Sequence, residues 1–118
     1  MEHRTVPGTN RPIENYDDFF PYYLSEHSKP AVRGLHYAGT FAATTAFFGG
    51  LLTGTWWLVL LSTVFGYGPA WVSHFFIEKN KPATFDYPLW SLRGDYHMLW
   101  LKLTGRLKPA LRAAGVED

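Results

Sequence analysis

The chain has 118 residues, a formal net charge of +1, 47% hydrophobic and 18% aromatic residues, and no cysteine. That length suits one domain, and the small charge leaves no basic footprint for nucleic acid. Without cysteine, disulfides, thiolate metal sites and cysteine nucleophiles are excluded.

The mean hydropathy of -0.13 averages two unlike parts. From Gly34 to Ile77 there is no Lys, Arg, Asp or Glu at all. Residues 1–13 read as a mobile arm, with Pro7, Gly8 and Pro12 among polar residues; its start lacks the apolar core of a signal peptide, and His3 is set aside as irrelevant. Residues 14–109 read as a single helical membrane domain and 110–118 as a frayed tail. Asn15 is placed to cap a helix from Tyr16, with Asp17 and Asp18 in its first turn. The run Phe19-Phe20-Pro21-Tyr22-Tyr23-Leu24 is too short to span a bilayer and suits the headgroup boundary, or plain core.

Ser28 is a candidate cap, and Pro30 falls in the first turn of a helix expected from about Lys29 to Phe48. Its small residues Ala38, Gly39, Ala42, Ala43 and Ala46 permit close helix approach. Gly49 to Gly54 reads as the turn, and a second helix follows from near Thr55 to about Asn80, with Gly66-Tyr67-Gly68-Pro69 as a kink or break. A bilayer span needs about 20 apolar residues, so two transmembrane helices fit. The competing reading is a buried hairpin in a protein outside the membrane. Lys29 and Arg33 flank one end of the pair and Lys79 and Lys81 the other. The positive-inside rule then places both termini in the cytoplasm. Beyond Pro82, Asp86 or a neighbour is placed to cap a helix whose Leu89, Leu92, Tyr96, Leu99, Trp100 and Leu103 recur every three or four residues. This amphipathic helix is expected in the interface or over the site, and Gly105 and Pro109 close it. The expected architecture is therefore an all-α integral membrane protein, with two spans plus N-terminal aromatic and C-terminal amphipathic interfacial helices.

Four histidines sit in or beside apolar segments: His27, His36, His74 and His97. An ionisable side chain in such a setting is costly without a partner. His36 and His74 fall at similar depth on adjacent antiparallel helices, and His27 lies in the segment that folds over that end. Glu78 is four residues after His74, which stacks the two on one helical face. Imidazoles with a carboxylate suit Fe, Zn, Mn or Cu, and with open positions they suit Fe(II) and O2 chemistry. The alternative is a non-enzymatic lipid-binding or scaffold protein whose histidines only brace helices. No Gly-rich loop supports nucleotide binding, and the adjacent Ser73 and His74 do not form a triad. Lys79 and Lys81 suit phospholipid contacts.

The segments Tyr22-Tyr23-Leu24-Ser25-Glu26-His27-Ser28-Lys29-Pro30, His36, and Gly68 to Ala83 with its His74-x-x-x-Glu78-Lys79-x-x-Pro82-Ala83 motif resemble the 2-hydroxy fatty acid dioxygenase family. The resemblance runs from roughly Phe19 to Leu107. It implies an Fe(II)-dependent enzyme of fatty acid α-oxidation that uses O2 to shorten a 2-hydroxy fatty acid by one carbon. It implies His27, His36 and His74 as metal ligands and Glu78 as a ligand, an orienter of an imidazole or a catalytic base. His97 is a further candidate ligand, at a position where the family requires none. The implied partners are substrate, O2 and membrane lipids, with a homo-oligomer possible. The implied setting is the endoplasmic reticulum membrane in eukaryotes, or the inner membrane for a short bacterial member, which the length favours.

Overall fold

The computed structural model describes residues 4–116; His3 and the end of the tail lie outside them. Five α-helices follow in chain order: α1 (Tyr16–Ser25), α2 (Pro30–Thr53), α3 (Trp56–Val72), α4 (Pro88–Leu103) and α5 (Leu107–Ala113). A π-helical turn, Ser73–Glu78, extends α3, and a 3-10 turn, Ala83–Phe85, precedes α4.

The aromatic segment forms the centre of the core. Asn15 caps α1, its Oδ1 accepting the Asp18 N–H at 2.8 Å. Phe19, Tyr23 and Leu24 are fully buried against Met98 of α4 and Leu111 of α5. Each such side chain contributes about 1.5–3 kcal/mol by leaving water. The flanking segments close over this core. Thr5 and Pro12 pair in an antiparallel bridge, and Arg11 reaches Asp18 at 2.6 Å and Arg4 reaches Asp86 at 3.3 Å. From residue 4 onward the expected arm is thus tied to the core. The expected tail holds part of α5, which buries Leu111, and is followed by the buried Ala114 and Val116.

The charge-free stretch folds into the α2–α3 hairpin. Gly49 and Gly50 stay helical, and the reversal falls on Gly54, whose φ of 70° is the left-handed conformation glycine adopts without cost. The expected break at Gly66–Pro69 does not occur, since α3 runs through Pro69 to Val72. Pro69 has no N–H to offer the Phe65 carbonyl. Gly39 of α2 packs at that point, where a Cβ would stand 3.0 Å from the Phe65 oxygen.

The expected membrane architecture is overturned. No helix among the described residues is long and apolar enough to cross a membrane. The two transmembrane spans fall, and with them the integral-membrane placement, bacterial or endoplasmic-reticulum, and the cytoplasmic termini inferred from it. The physical reason is that absence of charge is not high hydropathy. The 24-residue α2 opens with Arg33 and His36 and is diluted by glycine and threonine, while the greasier α3 has only 17 residues. What the stretch encodes is a hairpin with apolar outer faces, where Phe41, Trp56 and Leu52 are 72%, 70% and 87% exposed. Helix α4, expected in the membrane interface or over the site, packs on α1, α2 and α5. Its expected apolar stripe points outward, with Leu89 79% and Leu103 73% exposed, and its inward face is Ser91, Gly94 and Met98. Gly94 is needed there because a Cβ would meet the Tyr23 ring at 3.0 Å.

Replacing Gly39 by Ala forces the two hairpin helices apart at a backbone oxygen that cannot swing aside. Gly39→Ala is expected to lower stability by about 1–3 kcal/mol, read as a shift in the urea midpoint at unchanged slope.

Candidate metal centre

Three imidazoles from three parts of the chain converge. His27 follows α1, His36 lies one turn and a half into α2, and His74 sits in the π-helical turn, all of them buried. The Nε2 of His27 is 3.0 Å from that of His36 and 3.1 Å from that of His74.

The opposite side of each ring fixes what those nitrogens are. His27 Nδ1 donates to the Tyr23 carbonyl at 2.6 Å, and His36 Nδ1 donates to the Val32 carbonyl at 2.9 Å. His74 Nδ1 donates to Asn80 Oδ1 at 2.7 Å. The Asn80 amide can be oriented only this way, because its Nδ2 donates to the Glu26 carbonyl at 3.1 Å and to the Glu26 carboxylate at 3.2 Å. Every Nδ1 faces an oxygen that only accepts, so every Nδ1 carries the proton. The three Nε2 atoms therefore present bare lone pairs to one another, and lone pairs cannot hydrogen-bond among themselves. Protonation offers no relief. Burial and the neighbouring imidazoles hold His27 well below its ordinary range, burial pushes His36 down to about 4, and burial also lowers His74. A cation is what such a donor set fits, and these ligand atoms all lie within 4.8 Å of one another.

Residues 13–107 match the family described as 2-hydroxy-palmitic acid dioxygenase Mpo1-like. The chain belongs to this family. No curated protein and no solved structure matches it.

In this Mpo1-like chain the π-helical turn decides which side chains reach the centre. Its i→i+5 winding is wider than an α-helix, so residues four apart no longer stack. His74 turns inward and Glu78 does not follow it. The Glu78 carboxylate accepts from Ser28 Oγ at 2.8 Å and from the Lys29 N–H at 2.9 Å. It thus caps the N-terminus of α2 from another part of the chain, in the role expected of Ser28, where a negative charge is also favoured by the helix dipole. Lys29 Nζ donates to the Ile77 carbonyl at 2.9 Å, and Arg33 donates to the His27 carbonyl at 2.9 Å. Together these bonds clamp the His27 loop onto the π-turn. The turn ends at Lys79 in the left-handed region, φ 60°, and the Asn80 N–H returns to the His74 carbonyl at 2.9 Å.

His97 is not part of the centre. Its Nδ1 meets the Tyr16 hydroxyl at 2.9 Å and its ring stacks on Phe20 at 3.7 Å, within the α1–α4 packing. Asp86 does not cap α4 but pairs with Arg4 and with Lys81.

Sequence reasoning passed over several residues around the imidazoles. The cavity beside them, about 10 Å³, is also lined by Tyr23, Ser91 and Asp95. The Tyr23 ring stacks on His27 at 4.1 Å and its hydroxyl donates to Asp95. Burial pushes the Asp95 carboxyl up to about 7, and the Tyr23 hydrogen bond only partly offsets this. Ser91 Oγ is buried and has no partner among the described residues. Asn80 stood inside the family-like motif, but nothing in its type marked it as the acceptor for His74.

Two outcomes follow from this geometry. Asn80→Ala removes the acceptor that fixes the His74 tautomer, so divalent-metal affinity is expected to fall about 10–100-fold, measured by competitive metal titration. Asp95 holds a proton in the folded state up to about pH 7 that the unfolded chain releases from about pH 4. Its contribution to stability therefore falls as pH rises through that window, by up to about 1.4 kcal/mol per pH unit. Asp95→Asn abolishes that loss, so the variant's denaturant midpoint should gain on the wild type between pH 5 and pH 7.5.

Proposed function

We propose that this protein is an Fe(II)-dependent dioxygenase that converts a 2-hydroxy fatty acid to the fatty acid one carbon shorter. The observation that carries this reading is the convergence of three bare imidazole nitrogens in a member of the 2-hydroxy-palmitic acid dioxygenase family. His27, His36 and His74 would hold the ion. Iron supplies, when bound, the one-electron chemistry that lets O2 react with an organic substrate.

The chain's own residues do the rest. Three neutral imidazoles add no charge of their own, so the loaded centre attracts the carboxylate head of the substrate. Ser91 Oγ, which has no internal partner among the described residues, is left to hydrogen-bond that head. Asp95, one helical turn from Ser91 on α4, titrates near pH 7 and is suited to hold or release a proton beside it. Tyr23 couples Asp95 to His27 and fixes the imidazole's orientation through its own carbonyl. Trp71, Pro82 and Ala83 close the cavity and limit water.

The test is O2 uptake by protein loaded anaerobically with Fe(II), then given 2-hydroxypalmitate. Uptake should match the fatty acid formed, and Zn(II) should not replace iron. His27→Ala, His36→Ala and His74→Ala should each lose bound iron and turnover by about 100-fold or more, whereas His97→Ala should keep both within about threefold. Protein that takes up no iron, or takes up iron and consumes no O2, would make the bracing role of the histidines the correct one.

A further inference from the structure

A second and larger cavity, about 340 Å³, lies between α2, α3 and α4. Two residues, Tyr67 and Asp95, line both this cavity and the small one at the imidazoles. They form a shared wall. Tyr67 is 37% exposed and its ring packs on Trp71 at 5.6 Å.

The larger cavity runs along the hairpin away from the histidines. Gly39 packs at Phe65–Pro69, Ala43 at Gly66, and Gly50 at Thr55–Val59, which sets the antiparallel register. Positions on α2 from Thr40 to Phe47 therefore follow one another outward from His36 toward the turn. From His36 to Phe47 the helix rises about 16 Å. That is the reach of a long acyl chain and far more than a short hydroxy acid needs.

Its wall is made apolar even where the sequence is polar. Thr44 Oγ1 donates to the Thr40 carbonyl at 2.7 Å and meets the Tyr96 hydroxyl at 2.6 Å. Ser62 Oγ donates to the Val59 carbonyl. With those hydroxyls consumed by the protein, carbon faces the cavity, together with Ala43, Phe47 and Leu92. A groove that is mostly apolar along its length, with the one carboxyl of its lining, Asp95, on the wall shared with the imidazoles, matches an amphiphile with one acidic head.

We propose that this groove holds the alkyl tail of the substrate, with the head passing Tyr67 and Asp95 to reach the imidazoles, and that Thr44 and Phe47 set the preference for long chains. This rests on the dioxygenase reading and assigns the groove and the residues that read chain length. Thr44→Trp places an indole across the middle of the groove, and Phe47→Ala removes apolar contact at its outer end. Phe47 is 39% exposed, so that second change does not threaten the fold.

The experiment compares 2-hydroxypalmitate with 2-hydroxyhexanoate on Fe(II)-loaded wild type and both variants, by anaerobic calorimetric binding and by O2 uptake. Each methylene kept out of an apolar groove weakens binding roughly fourfold. Thr44→Trp should therefore weaken 2-hydroxypalmitate by about tenfold or more while the six-carbon acid shifts less than about threefold, with bound iron unchanged. Phe47→Ala should weaken only the long acid, by about threefold to tenfold, and it carries the test if Thr44→Trp does not fold. Binding of the long acid unaltered in the folded variants, or both acids weakened equally, would overturn the groove alone. Wild type that binds neither acid would overturn the dioxygenase reading and the groove with it.

Discussion

Three hydrogen bonds on the outward side of three rings determine what this molecule is built to do. The carbonyls of Tyr23 and Val32 and the side-chain oxygen of Asn80 take the Nδ1 protons of His27, His36 and His74. Two of those acceptors are backbone atoms four residues before the histidine they serve, so they come with the helical path itself. The third depends on an amide held by Glu26. With all three protons committed outward, the inner nitrogens have no internal partner, and the low dielectric that suppresses protonation also raises the cost of leaving them unmatched. The centre is thus arranged for a cation before any cation arrives. The carboxylates of Glu26 and Glu78 favour positive charge at His74, which works in the same direction.

Holding that arrangement takes most of the fold. The His27 loop is fixed by Arg33 from α2 and by Glu78 from the π-turn, while Tyr23 from α1 covers the His27 ring. Tyr23 can lie there only because α4 offers Gly94 beneath it. The inward face of α4 is consequently Ser91 and Gly94 with Met98 below them, and Leu89, Leu92 and Leu103 are left outside. A helix that looked amphipathic by spacing is used in the opposite sense, because its polar residues serve a buried site rather than water.

How much of this was legible in the residues follows from the kind of signal each one carries. Helix α1, its Asn15 cap and the hairpin pairing of α2 with α3 rest on local chemistry and periodicity, and these read correctly from sequence. So does the grouping of His27, His36 and His74, since antiparallel helices bring their outer ends together. The span reading failed because it counted missing charges instead of summing hydropathy over helices whose ends were not yet known. Glu78 was placed beside His74 by assuming α-helical winding, and the π-turn that moves it away has no composition signature. His97, Ser91 and Asp95 depend on which face of α4 looks inward, which is decided by Tyr23 and Gly94 in contact, and Asn80 depends on its bonds to Glu26.

The same three-segment construction couples the centre to stability. An ion held by His27, His36 and His74 cross-links the α1–α2 loop, α2 and the π-turn, groups that the unfolded chain does not keep together. Its binding free energy is then in large part folding free energy. The protonation balance points the same way. The folded state lowers the proton affinity of all three histidines, to about 4 for His36, so below about pH 6.5 the unfolded chain binds more protons there and their contribution to stability rises with pH. Asp95 contributes with the opposite sign over nearly the same window, because burial keeps its proton in place. Near neutrality the three Nε2 atoms are free of protons while Asp95 is close to half-protonated. A centre that needs bare nitrogens to take a cation, and a neighbouring acid able to give or take one proton, therefore has both available at the same pH.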